Sequence, residues 1–275
     1  MTVSETAARP AYPAWAALRA RALRSARTYA LEAKYEFLKL LRLPMYALPT
    51  LAFPTLFYVM FSVAFGGEQS GGVDMAAYLL ATYGAFGVIG AALFGFGVGI
   101  AVERGQGWLL LKRASPMPPG AYFAAKVAMA MLFGAMIVLS LFALGAGING
   151  VRLPAGTWLS LGAILVAGAL PFCAMGLAFG VWCGPNSAPA VVNLVYLPMA
   201  FGSGLWIPVQ ALPGFLQQAA PALPPYHLAQ LALKTIGADL GRPAALHVGA
   251  LAAVTVVSLG LAWLGYRRDE GKTYG

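Results

Sequence analysis

The sequence predicts an all-α membrane protein with six transmembrane helices. Of its 275 residues, 60% are hydrophobic and only 10% are charged, whereas a soluble domain carries about 25% charged residues. Several uncharged stretches reach the roughly 20 residues that a helix needs to cross a bilayer. The acidic residues all lie outside those stretches.

The two cysteines and the amino-terminal segment narrow the class further. Cys173 and Cys183 lie in or beside one apolar run, a placement that predicts neither a disulfide framework nor a metal site. The first forty residues have no compact apolar core before a small-residue cleavage site, so we expect no cleavable signal peptide.

Residues 1–42 are predicted to form a cytoplasmic tail followed by an amphipathic helix. On a helical wheel from about Pro13 to Arg42, one apolar stripe contains Trp15, Leu18, Ala22, Ala26, Tyr29, Ala33, Phe37 and Leu40. The basic residues away from it are Arg21, Arg24, Arg27, Lys39 and Arg42, with Arg19 at its edge. An apolar stripe opposite a basic face indicates a helix lying in the membrane interface; the alternative is a solvated cytoplasmic helix.

Residues 43–266 are predicted to form the transmembrane domain, and residues 267–275 a second cytoplasmic tail. The six predicted spans are Pro44–Phe65, Met75–Val102, Ala121–Ile148, Thr157–Cys183, Ala188–Ile207 and Pro243–Tyr266. Before the last span, residues 209–236 are half apolar and interrupted by prolines, so we expect short re-entrant or interfacial helices there.

The distribution of basic residues predicts the orientation. With six spans, fifteen of the eighteen lysines and arginines fall on the side that holds both termini and the loop after the second span. Basic loops stay in the cytoplasm, so both termini are predicted to be cytoplasmic. The net charge of +9 therefore indicates contact with anionic lipid and a cytoplasmic partner rather than binding of nucleic acid.

The predicted spans lack the groups that ion coupling or catalysis needs. An ionisable residue at mid-bilayer is costly and is usually kept for a proton relay or an ion site, yet no acidic residue lies there. Lys126 and His247 lie near span ends, where we expect them to reach the interface, and His227 stands alone. The glycines at 95–99 are expected to serve helix packing. The chain is therefore predicted to be no enzyme and to have no energy source of its own.

The loop between the second and third spans is unusual for a simple connection. Residues 103–113 read ERGQGWLLLKR, and residues 115–120 read SPMPPG. They predict a short amphipathic helix over about 103–115, anchored by Trp108 and ended by prolines. Such a helix serves either as a handle for a soluble protein or as an interfacial linker, and the pattern alone leaves both open.

Two stretches resemble type-2 ABC exporter permeases. The loop pattern of that family is matched by Glu103, Arg104, Gly107, Arg113, Ser115, Pro116 and Lys126. Its segment between the fifth and sixth spans is matched by Pro208, Leu212, Pro213, Leu223, Pro224 and Tyr226. The six-span layout and the amphipathic first helix also agree. One departure is the basic residue of the last external segment, often Arg in the family, where Lys234 stands instead.

The resemblance implies a permease that works as a dimer, driven by two copies of a soluble ABC ATPase that bind ATP and Mg²⁺, with no cofactor in this chain. The residues expected to couple to the ATPase are Glu103, Arg104, Gly107, Trp108, Leu111, Lys112, Arg113 and Pro116. Those expected at an external gate are Pro208, Leu212, Pro213, Phe215, Pro224 and Tyr226. The expected translocation path, walled by the first, second and fifth spans, includes Tyr58, Tyr83, Phe86, Asn193 and Tyr196.

The resulting functional hypothesis is ATP-driven export of a hydrophobic or amphipathic compound, a drug-like molecule or a lipid, across a bacterial cytoplasmic membrane. Charge-free spans favour such a cargo over a strongly anionic one. Export of a polysaccharide or glycolipid by the same family is the nearest alternative. A non-transporting membrane scaffold or immunity protein is the alternative from a different class.

Overall fold

A computed structural model describes residues 14–115 and 117–270 of the chain as a bundle of helices. In chain order the helices are α1 (Ala14–Leu41), α2 (Pro44–Ala64), α3 (Met75–Gly90), α4 (Gly99–Gly105), α5 (Trp108–Ala114), α6 (Pro119–Gly147), α7 (Ala155–Ala167), α8 (Ala169–Trp182), α9 (Ala188–Gly202), α10 (Gly214–Ala219), α11 (Pro224–Thr235) and α12 (Ala244–Glu270). A π-helical segment, Ala91–Val98, joins α3 to α4 without a break.

Five stretches of the described chain are long and apolar enough to cross a membrane: Pro44–Ala64, Met75–Gly105, Gly120–Gly147, Ala155–Trp182 and Ala244–Arg268. They correspond to five of the six predicted spans. The predicted fifth span is represented by α9, which has 15 residues. A helix of that length is about 22 Å long, shorter than the roughly 30 Å hydrocarbon core.

The helix α9 ends at Gly202 rather than at the predicted Ile207 because the chain turns there. Gly204 has a φ of +77°, a left-handed conformation that glycine adopts without steric cost. The chain then doubles back so closely that a Cβ at Gly204 would lie 2.2 Å from the side chain of Val209. The apolar residues after Gly202 therefore leave the helix although their composition would continue it.

The second long helix, Met75–Gly105, lies at the centre of the bundle. Most of its side chains are buried against α2, α6, α8 and α11. Glycines make its contact with α8 close, since a Cβ at Gly97 would lie 2.8 Å from the backbone of Gly176, and one at Gly180 would lie 2.7 Å from the carbonyl oxygen of Gly97. The packing role predicted for the glycines at 95–99 is confirmed at Gly97.

A short antiparallel hairpin contains the β-strands of the described residues. It pairs β1 (Gln69–Ser70) with β2 (Val73–Asp74). Asp74 then begins α3, because its side chain accepts a hydrogen bond of 2.7 Å from the backbone N–H of Ala76, as in a helix N-cap. The fold is therefore nearly all-α rather than entirely so.

The bundle has two distinguishable ends. The α5 end contains α5, the turn at 184–187 and the end of α12, since the indole of Trp182 donates to the carbonyl of Leu261. The hairpin end contains β1 and β2, α10 and α11. Helix α1 lies at the α5 end against α6, with the rings of Phe37 and Phe133 5.3 Å apart.

Candidate functional site

A buried network of charged side chains lies at the α5 end. Its centre is Lys126 of α6, which is only 1% exposed. The ammonium group of Lys126 donates to Glu36 of α1 at 2.5 Å and to Glu103 of α4 at 2.9 Å. One lysine therefore joins the amphipathic first helix to the ends of two membrane-spanning helices.

Two further side chains complete this ion network. The hydroxyl of Tyr122 donates to the second carboxylate oxygen of Glu103 at 2.6 Å. Lys39 donates to Glu36 at 2.8 Å and also contacts Glu103. Burial by itself would lower the pKa of Lys39, but the hydrogen bonds with Glu103 and Glu36 outweigh it and raise the pKa above its ordinary value.

The charges of the network balance, with two carboxylates facing two ammonium groups. Removing one member of a buried ion pair leaves an uncompensated charge and costs several kcal/mol. A relative displacement of α1, α4 or α6 would have the same effect, because each helix contributes at least one charged group. The network therefore fixes the relative positions of these three helices.

The structure corrects three expectations about Lys126 and the two histidines. Lys126 and His247 were expected to reach the membrane interface, yet they are only 1% and 0% exposed. His227 was expected to stand alone, yet it pairs with His247. Glu36, which carried no predicted role, faces the protein interior because it lies three residues after Ala33 and four before Leu40, on the face of the apolar stripe. Sequence patterns could not show these pairings, because their members are far apart in the chain.

The short helix α5 is held beside this network. Gly107 precedes it with a φ of +76°, so the chain breaks after α4 and starts a separate helix. On α5, Lys112 forms an ion pair with Glu32 of α1 and lies 4.8 Å from the ring centroid of Tyr122. The predicted 103–115 helix is therefore divided into the end of the second span and a seven-residue helix.

Part of the predicted coupling set is exposed on α5. Trp108 is 53% exposed and Leu111 is 70% exposed. Both are large apolar side chains that lie outside the apolar spans, and exposed apolar patches of this kind mark interaction sites. The side chain of Arg113 and the whole of Pro116 lie outside the described residues. A cleft of about 170 Å³ separates α5 from α1 and is lined by Glu32, Tyr35, Glu36, Lys39, Glu103, Trp108 and Lys112.

Glu103 and Arg104, two other residues of the predicted coupling set, face the protein. Glu103 is 8% exposed. The guanidinium of Arg104 donates to the carbonyl of Cys183 at 2.8 Å, and a Cβ at Gly105 would lie 2.6 Å from the ring of Pro185. The turn at 184–187 is thereby attached to the base of α5, a contact that the sequence did not suggest.

The predicted gate residues lie together at the hairpin end. Leu212 and Tyr226 are buried, at 3% and 1% exposure, whereas Phe215 is 71% exposed. Pro208 and Pro213 directly precede a 3₁₀ turn and α10, and Pro224 is the first residue of α11. Prolines at helix starts supply a pre-set φ without losing an internal hydrogen bond, which explains why this segment forms short helices.

The predicted path residues divide into two groups. Tyr83, Phe86 and Tyr196 come together, with the rings of Phe86 and Tyr196 stacked at 5.3 Å and those of Tyr83 and Phe86 edge to face at 6.3 Å. Tyr58 is 0% exposed, its hydroxyl lies against Gly145 of α6, and it accepts a hydrogen bond of 3.0 Å from Asn149. Asn193 is exposed on α9.

A row of phenylalanines that was not predicted from the sequence extends this aromatic group. Successive stacked ring pairs along α2 connect Phe53, Phe57, Phe61 and Phe65 at centroid distances of 5.9–6.4 Å. Phe61 also stacks on Tyr83, and Phe57 stacks on Trp206. The signal was present in the sequence as a spacing of four, which places side chains on one face of a helix. We call this row with Tyr83, Phe86, Tyr196 and Trp206 the aromatic face.

The fold and the site define a multi-pass membrane protein whose short exposed helix is tied to the ends of its spanning helices. A family model described as "ABC-2 type transporter" matches residues 29–236, so the chain belongs to the ABC-2 type transporter family, as the sequence resemblance predicted. Permeases of this family are transmembrane subunits without a catalytic site of their own, and the family implies an ABC ATPase as a partner. The chain is also 29% identical to the "Putative transport permease YvfS" of Bacillus subtilis (strain 168) over 192 residues, which are 70% of this chain and 78% of that protein.

Proposed function

We propose that the chain is the transmembrane permease subunit of an ATP-driven exporter. Its cargo is a hydrophobic or amphipathic compound, a drug-like molecule or a lipid, which leaves the cytoplasm or the inner leaflet of the membrane. The ion network around Lys126 is the observation that most supports this function. It is the arrangement expected where a push on a short exposed helix must reach the spans.

The proposed mechanism starts at α5. Trp108 and Leu111 present apolar side chains for a groove of the ATPase, and α1 lies beside them as a second contact. A force on α5 reaches the second span through the chain at Glu103 and the third span through Lys126. Glu103 is then a positioning residue, because its carboxylate is used inside the permease. ATP and Mg²⁺ are bound by two copies of the partner, and this chain supplies no nucleotide site.

The proposed membrane arrangement has six crossings, with both termini in the cytoplasm of a bacterium. The five long helices supply five crossings, and α9 supplies the sixth, since it also runs from the α5 end toward the hairpin end. The α5 end is the cytoplasmic one, in agreement with the excess of lysine and arginine there. A second copy of the chain would cover exposed apolar residues on α2 and α9, such as Phe53, Leu56 and Leu194.

The aromatic face is the proposed cargo-contacting surface. It carries no charge, and ring faces attract other aromatic or apolar groups. Phe53 is 54% exposed at one end of the row, and Tyr83 is buried farther along. Tyr196 and Asn193 would belong to the same wall on α9, whereas the buried position of Tyr58 supports a packing role. On the outer side, the proline-rich segment with Phe215 would close the path.

The aromatic face also supports a second candidate function, export of a polysaccharide or glycolipid, because sugar rings pack on aromatic side chains. The two candidates differ in the cargo that stimulates the motor. A lipid-linked saccharide would increase ATP hydrolysis if the second candidate is correct, whereas uncharged aromatic amphiphiles would do so for the first.

The test is whether the neighbouring reading frame encodes a soluble ATPase and whether that ATPase copurifies with the chain, followed by ATPase assays in lipid vesicles. The key variant is Trp108→Ala, and the matched control is Trp263→Ala, because the two tryptophans are 53% and 54% exposed. We expect Trp108→Ala to reduce copurification and cargo-stimulated hydrolysis while leaving membrane insertion intact, and Trp263→Ala to retain both activities. If the ATPase copurifies but neither amphiphiles nor lipid-linked saccharides stimulate its ATP hydrolysis, the scaffold or immunity protein would be favoured instead.

A further inference from the structure

The two histidines of the chain form a pair at the hairpin end. His227 belongs to α11 and His247 to α12, and their Nδ1 atoms are 2.9 Å apart. The two residues are 6% and 0% exposed. The pair is a direct polar link between the interfacial helix α11 and the last spanning helix.

The neighbouring carbonyl determines the tautomers of the pair. The Nε2 atom of His227 lies 3.0 Å from the carbonyl oxygen of Pro221, which can only accept, so Nε2 carries the proton. In a neutral ring the Nδ1 atom of His227 is then an acceptor, and the Nδ1–H of His247 is the donor. This leaves the Nε2 atom of His247 as an unprotonated, buried nitrogen that has no partner among the described residues.

The surroundings favour the neutral state of the pair. The titratable and charged groups around it are Tyr78 from α3, Tyr226 and Lys234 from α11, and Asp239 and Arg242 from the following loop, while α7 contributes none. Asp239 is the acid among them, and it is engaged by Lys234 at 3.0 Å. Burial lowers the pKa of His227, and the charge of Arg242 lowers it further, against an opposing effect of the hydrogen bond to Pro221.

We propose that the His227–His247 pair is a proton-sensitive latch, which holds α11 against α12 when both rings are neutral and weakens as the pH falls. A first proton from solvent takes the free lone pair on Nε2 of His247, keeps the bond between the rings and creates a buried cation without a free acid nearby. A second proton makes both Nδ1 atoms donors, so the bond between the rings is lost.

The direction of the pH effect follows from the free energies of the two states. When α11 separates from α12, the histidines become hydrated and titrate near the ordinary value of about 6.5. Above that pH both states are neutral, and the latch is at full strength. Below it the separated state takes up protons first, so separation becomes more frequent, by at most about tenfold per pH unit for each linked proton.

The first test is nuclear magnetic resonance of the full chain in lipid nanodiscs with ¹⁵N-labelled histidine and no histidine tag. Because the chain has two histidines, each ring nitrogen gives a resolved signal. At pH 7.5 we expect one Nε2–H ring and one Nδ1–H ring, with His227 titrating below the free-histidine value. Two Nε2–H rings with ordinary titration would overturn the proposal.

The second test is hydrogen exchange of α11 between pH 7.5 and 5.5, corrected for the intrinsic pH dependence of exchange. The variant His247→Asn keeps an N–H donor for His227 but removes the nitrogen that takes the first proton. In the natural chain we expect α11 to open more often at pH 5.5 than at pH 7.5. This increase should be smaller in His247→Asn and absent in His227→Gln/His247→Asn. An unchanged pH slope in the double variant would refute the latch.

Discussion

Replacing Lys126 with methionine is the sharpest perturbation of the ion network. Methionine keeps an unbranched side chain of similar length but removes the charge that Glu36 and Glu103 share. Both carboxylates would then depend on Lys39, whose side chain is 46% exposed. The variant therefore leaves one excess negative charge on two carboxylates that are both largely buried.

The magnitude follows from the burial and the two contacts of Lys126. Removing one partner of a buried ion pair typically costs 3–5 kcal/mol. Lys39 still contacts both carboxylates, so we expect the low end, a loss of about 3 kcal/mol. For a chain of this size that loss corresponds to a decrease in Tm of roughly 6–12 °C.

Thermal unfolding of the purified chain in lipid nanodiscs measures this change. Lys34→Met is the matched control, because Lys34 is exposed on α1, and surface substitutions usually stay within about 0.5 kcal/mol. The double variant Lys126→Met/Glu103→Gln restores the charge balance with one lysine and one glutamate, so it should cost less than the sum of its parts. A Tm of Lys126→Met equal to that of Lys34→Met would show that the network contributes nothing to stability and refute this reasoning.

Three further predictions concern packing and backbone conformation. Gly97→Val should destabilise the bundle by about 2–3 kcal/mol in thermal unfolding, because its Cβ would lie 2.8 Å from the backbone of α8, whereas Gly249→Val, which meets open space, should have little effect. Tyr58→Phe should cost about 1 kcal/mol in the same assay through loss of the bond from Asn149, and an unchanged Tm would exclude that bond. Gly107→Ala should strain the start of α5 by about 1–2 kcal/mol, because residue 107 has a left-handed φ. It should also reduce cargo-stimulated ATP hydrolysis of the complex, and normal stimulation would contradict this prediction.

The element types and much of the layout could be predicted from the sequence. The apolar stretches predicted the five long membrane helices to within a few residues, because the length of an apolar stretch is a local property of the sequence. The proline-rich segment before the last span was expected to form short helices, and it forms α10 and α11. The hairpin at Gln69–Asp74 was not expected, since two residues per strand leave no alternation to detect.

The candidate site was only half accessible to sequence reasoning. Trp108 and Leu111 were expected on a short amphipathic helix, and they lie exposed on α5; their coupling role stays a prediction. Glu103 was expected at the polar end of the same helix, but it is turned inward toward Lys126 and Tyr122. The row of phenylalanines on α2 was readable from its spacing, yet which neighbours it stacks on depends on how α2 is rotated against α3.

By itself, then, the sequence determined that this is a membrane protein, where its long helices lie, which end of the bundle collects the basic residues, and which family it belongs to. These properties follow from composition, local periodicity and contiguous motifs. Only the tertiary structure decided the pairing of Lys126 with Glu36, 90 positions away, and of His227 with His247. Such contacts depend on the rotation and lateral order of packed helices, to which the apolar spans are nearly indifferent because they are hydrophobic on every side.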